Sequence, residues 1–441
     1  MWIAAAALLP TELAALYYLG GWYVRSFVTL FLAQAAIYVF ASWCVIRGPR
    51  REAAAERRAV IAVLIVAALL RGIAFLAPQA LSTDAFRYVW DGRVQAAGVN
   101  PYRYIPADPA LAGLRDTDIY PNINRADYAH TIYPPAAQLF FLAAERVNDS
   151  LSGMKLAMLA CDGLSLACLV ALLRSLQLPP SRVLLYAWHP LPIWEFAGSG
   201  HVDALAIALL LLAFLFAVRR APAWAGVALA AATLVKYYPL VTVPALYRRW
   251  DWRLPAAFVA TAIALYLPYL ALGTAVFGFM PGYADEEGLR TGDGFFLWSL
   301  LQTRWHLPHE GLYYYLPFAL AIMIGLGLWL QFGRRAASGA PPLAGAMLLA
   351  SAFTLLASPH NPWYFAWLIP FLCFRFSLAH VWLTAACVLI YILPLNLTTQ
   401  ALLYVPFLVL LVVQACSRHP SHPSTTPERF DATEARSRAA V

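Results

Sequence analysis

Long apolar segments recur along the chain and constrain its fold more than any other feature. They cover residues 2–20, 25–46, 59–77, 152–173, 182–197, 203–218, 223–236, 239–248, 254–273, 313–332, 341–358, 361–375, 378–396 and 399–416. A helix needs about 20 apolar residues to cross the hydrocarbon core. The pattern therefore predicts an all-α polytopic membrane protein with about 12–14 transmembrane helices in one domain, 1–416. The composition, 62% hydrophobic and 12% charged, excludes an ordinary soluble globule.

Basic residues cluster between the apolar segments and predict the orientation of the protein. The clusters are Arg47, Arg50, Arg51, Arg57 and Arg58; Arg174 and Arg182; Arg219 and Arg220; Arg248, Arg249 and Arg253; and Arg334 and Arg335. All these clusters fall on one side of the membrane if segment 133–148 does not cross it. This side is assigned to the cytoplasm because cytoplasmic loops are rich in Lys and Arg. The net charge of +8 thus gives no reason to expect a nucleic-acid partner. The polar segment 417–441 is predicted to be a disordered cytoplasmic tail.

Two long polar segments, 78–151 and 274–312, then fall on the external face. In the first, Ser82-Thr83 precede a helical pattern that runs to Gly98. A second helix is expected from Tyr133-Pro134-Pro135 onward and is placed along the membrane interface. Polar chemistry is therefore expected outside the cell.

The first external helix is the strongest candidate for a functional site. Helical spacing places Asp84, Arg87, Tyr88 and Asp91 on one face. The helix dipole stabilises a carboxylate at the N-terminus, so Asp84 is expected to be ionised. The alternative is an ordinary solvated helix with an Arg87–Asp91 ion pair.

Ionisable residues also accompany two breaks between short apolar helices, at 198–201 and 236–239. They are Glu195, His201, Asp203 and Lys236. Each charge at the bilayer centre costs about 2.5–3.5 kcal/mol and needs a partner or a watery site. We predict a cavity rimmed by these residues and by 78–151, with Lys236 suited to a phosphate; the alternative for Lys236 is snorkelling to the interface. Glu12, Arg71 and Asp162 lie apart and are expected to pack helices.

A further outward turn, 358–364, contains His360, which could donate a proton to a leaving phosphate. Its aromatic neighbours could instead form an interfacial belt. Asp116-Thr117-Asp118 is too short a pattern to assign a metal site. Because the sequence has no Gly-rich phosphate loop, no nucleotide or other cofactor is expected.

Five motifs together resemble the GT-C superfamily of integral-membrane glycosyltransferases. They are STDAFRYVWDGRVQAAGVNPYRY at 82–104, TIYPPAAQLFF at 131–141, HPLPIWEFAGSGHVDALAIA at 189–208, LVKYYPL at 234–240 and SPHNPWYFAW at 358–367. The resemblance is to bacterial polyprenyl-phosphate-mannose-dependent mannosyltransferases of the family 87 and PIG-M-like kind.

The resemblance implies an inverting enzyme in the inner membrane, with its site facing the periplasm. The expected donor is a polyprenyl-phosphate sugar, with mannose favoured, and the expected acceptor is a lipid or a glycan. The catalytic roles fall on Asp84 as the base, with Asp91 as the competing choice, and on His360. The residues assigned to substrate binding are Arg87, Asp91, Arg93, Tyr133, Glu195, His201, Asp203 and Lys236.

Two other functions remain as alternatives. A transporter or lipid flippase would also need intramembrane charges and broken helices. Transporters, however, usually have repeated halves and a site at the midplane, whereas these halves are unlike. A non-catalytic partner in envelope biogenesis would not need the acid-rich external helix.

Overall fold

The computed structural model describes residues 2–49, 51–288, 290–292, 294–333 and 342–417. Across these ranges the regular secondary structure is helical, which confirms the predicted all-α class. Arg50, Arg334, Arg335 and the predicted tail beyond 417 lie outside the described residues.

Nineteen α-helices alternate with 3₁₀ segments and one π-helical turn, Ile193–Gly198, in the described chain. The α-helices are α1 Trp2–Gly20, α2 Val24–Arg47, α3 Ala53–Phe75, α4 Asp84–Ala96, α5 Pro135–Val147, α6 Leu151–Ser175, α7 Leu184–Ala187, α8 Pro190–Pro192, α9 Asp203–Val218, α10 Pro222–Thr233, α11 Val243–Leu246, α12 Arg253–Tyr266, α13 Met280–Glu286, α14 Phe296–Trp305, α15 Leu312–Phe332, α16 Pro342–Ala357, α17 Ile369–Leu372, α18 Leu378–Ala386 and α19 Leu397–Cys416.

Seven helices in the described ranges are long and apolar enough to cross a membrane. They are α1, α2, α3, α6, α15, α19 and the helical segment Arg253–Phe277, which is kinked at Gly273. Five shorter apolar helices accompany them, at Asp203–Val218, Pro222–Thr233, Pro342–Ala357, Pro362–Leu372 and Leu378–Tyr391. The protein is therefore polytopic, while the count of 12–14 crossings stays a prediction.

The basic connections meet in pairs at common ends of the helices. Arg51 donates a hydrogen bond to the Ser181 hydroxyl at 3.3 Å, and Glu56 accepts one from the Ser181 amide at 2.7 Å. Elsewhere, Arg249 lies over the Phe332 ring, 4.7 Å from its centroid. Each contact joins two connections at one helix end, and the shared cytoplasmic side of all the basic clusters stays a prediction.

The charged residues expected to pack helices have partners inside the membrane domain. Arg71 of α3 forms a buried ion pair with Asp162 of α6, which also accepts a hydrogen bond from Tyr186 at 2.5 Å. Glu12 of α1 accepts a hydrogen bond from Gln34 of α2 at 2.8 Å. Pairing makes these intramembrane charges tolerable and ties neighbouring helices together.

Helices α4 and α5 pack tightly against each other. A Cβ on Gly92 would lie 2.6 Å from the Phe141 carbonyl oxygen, so only glycine permits this approach. The Tyr88 and Phe141 rings stack with centroids 4.7 Å apart. Most of α4 is buried, so it is not the solvated helix considered as the alternative.

Gly278, just before α13, has a positive φ of 53° and also packs closely against a neighbouring backbone segment. A Cβ there would lie 1.7 Å from the Thr131 carbonyl oxygen. Gly278→Ala should therefore lower the thermal unfolding midpoint in detergent, because left-handed strain of about 1–3 kcal/mol adds to the clash.

Gly325→Ala in α15 is the matched control, since nothing lies within 4 Å of the added methyl group. It should leave the midpoint unchanged or raise it, because alanine favours the helix. Equal midpoints for the two variants would contradict the close approach at Gly278.

Candidate active site

A cavity of about 520 Å³ lies where the loops beside α4 and α13 meet the break after α10 and the turn after α16. Its lining residues are Leu81, Ser82, Thr83, Asp84, Asn124, Arg125, Ile132, Tyr133, Pro134, Val235, Lys236, Tyr237, Tyr238, Met280, Tyr283, Glu287, Phe353, Thr354, Ala357, Ser358, Pro359, His360, Asn361, Trp363, Tyr364 and Trp367. Of the residues singled out from the sequence, it brings together Asp84, Tyr133, Lys236 and His360.

Asp84 presents a carboxylate to this cavity from the first turn of α4. One carboxylate oxygen accepts a hydrogen bond from the Asn124 amide at 2.7 Å, and the other lies 3.9 Å from Nδ1 of His201. No Lys or Arg nitrogen in the described ranges lies within ion-pairing distance of Asp84. With a neutral partner on one oxygen, the carboxylate can accept a proton from a ligand.

Lys236 lies in the break between α10 and the 3₁₀ segment Tyr238–Thr242. Its ammonium donates to the Asp203 carboxylate at 2.7 Å and lies 4.2 Å from the centre of the Tyr364 ring. Lys236 lines the cavity, whereas Asp203 is fully buried beneath it. The lysine is therefore held inside the protein and does not snorkel to the interface.

His360 is held by two acceptors on the segment that follows α13. Its Nδ1 lies 3.1 Å from the Glu287 carboxylate, and its Nε2 lies 2.9 Å from the Gly294 carbonyl oxygen. Because both partners are acceptors, both ring nitrogens donate hydrogen bonds when the imidazole is protonated. This arrangement leaves neither N–H free for a ligand, which differs from the predicted proton donor.

The His360–Glu287 pair predicts a pH dependence for the attachment of Glu287 and Gly294 to His360. Burial lowers the pKa of His360, but the bonds to Glu287 and the Gly294 carbonyl outweigh it and raise this pKa above its usual value. Burial raises the pKa of Glu287, but hydrogen bonds from His360 and Tyr283 outweigh it and lower this pKa.

The two shifts stabilise the attachment over a defined pH window. The histidine contribution is complete below about pH 6.5 and is lost as the pH rises through the raised His360 pKa. The glutamate contribution is complete above about pH 4.5 and is lost as the pH falls through the lowered Glu287 pKa. Limited proteolysis of 287–294 should accelerate on both sides of this window. Cleavage of His360→Gln that still accelerates on the alkaline side would contradict the assignment.

The Asp91 carboxylate is buried away from the cavity. It accepts hydrogen bonds from Arg87 at 2.9 Å, Thr131 at 2.5 Å and Gln138 at 2.9 Å. Arg87 lines a neighbouring pocket of about 20 Å³. The face predicted as one site is thus divided into two. The part of α4 with Arg87 and Asp91 packs against the 129–138 segment, and only the first turn, with Asp84, faces the cavity.

Arg93, another residue assigned to substrate binding, lies outside the cavity wall. Its guanidinium pairs with Asp116 at 2.7 Å and with Asp149 at 2.9 Å. These contacts join α4 to two loop segments, so the structure gives Arg93 a packing position. Across the described residues, no group of three or more His, Cys, Asp and Glu side chains could hold a metal ion.

Glu195 and His201 lie immediately behind the cavity wall and are almost completely buried. The His201 ring stacks on Trp363, which lines the cavity, with centroids 3.9 Å apart. These two residues therefore contact the wall from behind, whereas direct substrate contact was predicted for both.

Sequence reasoning missed several residues of the cavity, foremost Arg125. This residue has a left-handed φ of 57° and pairs with Glu286 of α13 at 2.5 Å. The sequence around Arg125 contains no recognisable motif. The signal is in the backbone, because strained residues often occur at functional sites. Trp363 and Tyr364 belong to the motif at 358–367, for which an interfacial aromatic belt was the alternative interpretation. In the structure both residues line the cavity.

The chain has a family match over more than half its length. No curated protein and no solved structure matches it. Residues 3–251 match a family model described as "Alpha-(1->6)-mannopyranosyltransferase, N-terminal domain", and this range contains Asp84, Asp203 and Lys236. The chain therefore belongs to the alpha-(1->6)-mannopyranosyltransferase family and is a membrane glycosyltransferase of the GT-C superfamily.

Proposed function

We propose that the protein transfers a mannosyl residue from a polyprenyl-phosphate carrier to a hydroxyl group of a lipid or glycan acceptor, at the periplasmic face of the inner membrane. The observation that carries the proposal is one cavity lined by both the Asp84 carboxylate and the Lys236 ammonium. A base for the acceptor and a cation for the leaving phosphate are the two groups that this reaction requires. The family description leads us to expect an α(1→6) linkage.

The size of the cavity supports a lipid-linked donor that is only partly enclosed. A volume of about 520 Å³ lies within the range of ligand pockets, about 300–1,000 Å³, and suits a hexose with its phosphate. A polyprenyl chain is far larger and must extend outside it. Apolar lining residues, including Val235, Phe353 and Trp367, offer a surface for the first part of that chain.

In the proposed reaction, Asp84 removes the proton from the acceptor hydroxyl. The hydroxyl oxygen forms a bond to the anomeric carbon as the bond from this carbon to the phosphate oxygen breaks in line. The bonding electrons leave with the polyprenyl phosphate, whose new charge faces Lys236. Asp203 holds the lysine ammonium through the 2.7 Å contact, and Tyr364 supports it from the side.

Arg125 and His360 have different proposed roles. Arg125 is the second cation that lines the cavity, and it also pairs with Glu286. Its proposed role is to contact the donor phosphate. His360 is a positioning residue, because its two N–H groups hold Glu287 and Gly294. The catalytic role assigned to His360 from the sequence is therefore replaced in this proposal.

The test is sugar transfer by purified protein in proteoliposomes. Polyprenyl-phosphate mannose, polyprenyl-phosphate glucose and GDP-mannose are supplied separately with a mannose-containing acceptor, and products are identified by mass spectrometry. The proposal expects a product with one additional hexose from polyprenyl-phosphate mannose. Transfer from GDP-mannose alone, or no product from any polyprenyl-phosphate sugar, would overturn it.

A further inference from the structure

A buried row of polar groups extends behind Asp84, away from the cavity. Nδ1 of His201 lies 3.9 Å from the second carboxylate oxygen of Asp84, and Nε2 lies 3.3 Å from the Glu195 carboxylate. The other Glu195 oxygen accepts a hydrogen bond from the Tyr391 hydroxyl at 2.8 Å. The imidazole thus lies between two carboxylates, one in the cavity wall and one deep in the protein.

The backbone around this row is irregular in a way that brings the two residues together. Glu195 lies in the π-helical turn Ile193–Gly198, and Gly200 follows with a φ of 75°. The amide of His201 then donates to the Glu195 carbonyl oxygen at 2.9 Å. π-Helical turns are rare and frequently occur at functional sites.

Three atoms of the row have no hydrogen-bond partner in the part of the chain that the structure describes. They are both ring nitrogens of His201 and the Glu195 oxygen that faces Nε2. His201 is fully buried and Glu195 is 1% exposed. An unpaired buried polar group destabilises a protein, so three of them behind one carboxylate need an explanation other than packing. Hydrogen bonds of a catalytic row are often long before substrate binds and shorten in the reactive complex.

We propose that His201 and Glu195 relay the proton that Asp84 takes from the acceptor, an inference that rests on the proposed function. Neutral His201 with its proton on Nε2 presents the lone pair of Nδ1 to Asp84. As Asp84 becomes protonated, it passes this proton to Nδ1, and the Nε2 proton moves to the Glu195 carboxylate. Asp84 is ionised again, His201 is neutral as its other tautomer, and Glu195 carries the proton.

The relay resets after the product leaves. The proton returns along the same groups to Asp84 and from there to water in the cavity, and no other reactant takes part. While the reaction proceeds, the relay prevents protonated Asp84 from returning the proton to the attacking oxygen. His201 is thus a positioning residue that acts through Asp84 and does not contact the substrate.

Titratable and charged groups from each neighbouring element lie beside His201 or beside its two carboxylate neighbours, Asp84 and Glu195. They are Asp84 and Tyr88 on α4, Glu195 on the π-helical turn, Asp203 on α9, Lys236 after α10, and Tyr391 and Cys387 on the 3₁₀ segment Cys387–Tyr391. Asp203 and Lys236 pair with each other beside the Asp84–His201–Glu195 row.

The experiment is a proton inventory of single-turnover transfer, in which the rate is measured across mixtures of H₂O and D₂O. Wild-type protein should give a curved inventory, because more than one proton moves in the step. His201→Gln and Glu195→Gln should slow transfer about 100-fold and give a linear inventory, with donor binding changed less than twofold. His380→Gln is the control, since His380 is another buried histidine, bonded to Ser351 and Ser377 outside the cavity wall. It should keep the wild-type inventory.

The results that would overturn the proton relay differ from those that would overturn the proposed function. A linear inventory for wild-type protein overturns the relay without any variant, and so does a slowed Glu195→Gln protein that keeps the curvature. Wild-type rates in a folded His201→Gln or Glu195→Gln protein also overturn it. Absence of transfer by wild-type protein from every polyprenyl-phosphate sugar contradicts the proposed function instead.

Discussion

Asp84→Asn should abolish sugar transfer and leave the protein folded and able to bind its donor. An amide has nearly the shape of the carboxylate and can still bond to Asn124, but it cannot accept the acceptor's proton. Loss of a general base costs about 100- to 10,000-fold in rate, so the transfer rate in proteoliposomes should fall by at least the lower figure.

Asp91→Asn is the matched control, because it makes the same change on the same helix at a buried site outside the cavity wall. The amide replaces an acceptor bonded to Arg87, Thr131 and Gln138, so the thermal unfolding midpoint should fall. The rate per folded molecule should stay near that of wild type. Activity retained in Asp84→Asn and lost in a folded Asp91→Asn protein would move the base to Asp91.

Lys236→Met should have the second large effect, on both stability and donor use. It leaves the Asp203 carboxylate buried without its 2.7 Å partner. Breaking a buried ion pair in this way costs about 3–5 kcal/mol. Donor binding should weaken too, since the proposed cation for the phosphate is removed. The measurements are the thermal unfolding midpoint in detergent and the transfer rate as a function of donor concentration.

The double variant Lys236→Met/Asp203→Asn separates these two effects. Removal of the unpaired carboxylate should restore much of the stability lost in Lys236→Met. Donor use should remain impaired, because no ammonium returns to the cavity. If the double variant transferred sugar at the wild-type rate, Lys236 would have no role beyond neutralising Asp203.

The sequence predicted the helical membrane class and the positions of the helix breaks, because both depend on local patterns. Twenty-residue apolar segments and the 198–201 break need no knowledge of the tertiary structure. The start of α5 after Pro134 was predictable for the same reason, since proline favours the first turn of a helix.

The cavity itself was predictable only in part. Placing Asp84, Lys236 and His360 on one membrane side was enough to bring them to one region. Which face of α4 is buried depends on α5, and helical periodicity alone does not reveal it. The partner of His360 is Glu287, 73 residues away in sequence and on a loop without a recognisable motif.

The central claim is that the donor phosphate binds at Lys236 while the anomeric carbon faces Asp84. The most direct test is an electron cryomicroscopy structure of the Asp84→Asn protein in nanodiscs with polyprenyl-phosphate mannose. The account predicts the phosphate in contact with the Lys236 ammonium, the sugar inside the 520 Å³ cavity, and the lipid chain extending between the membrane helices. A donor bound elsewhere, with this cavity free of sugar and phosphate, would contradict it.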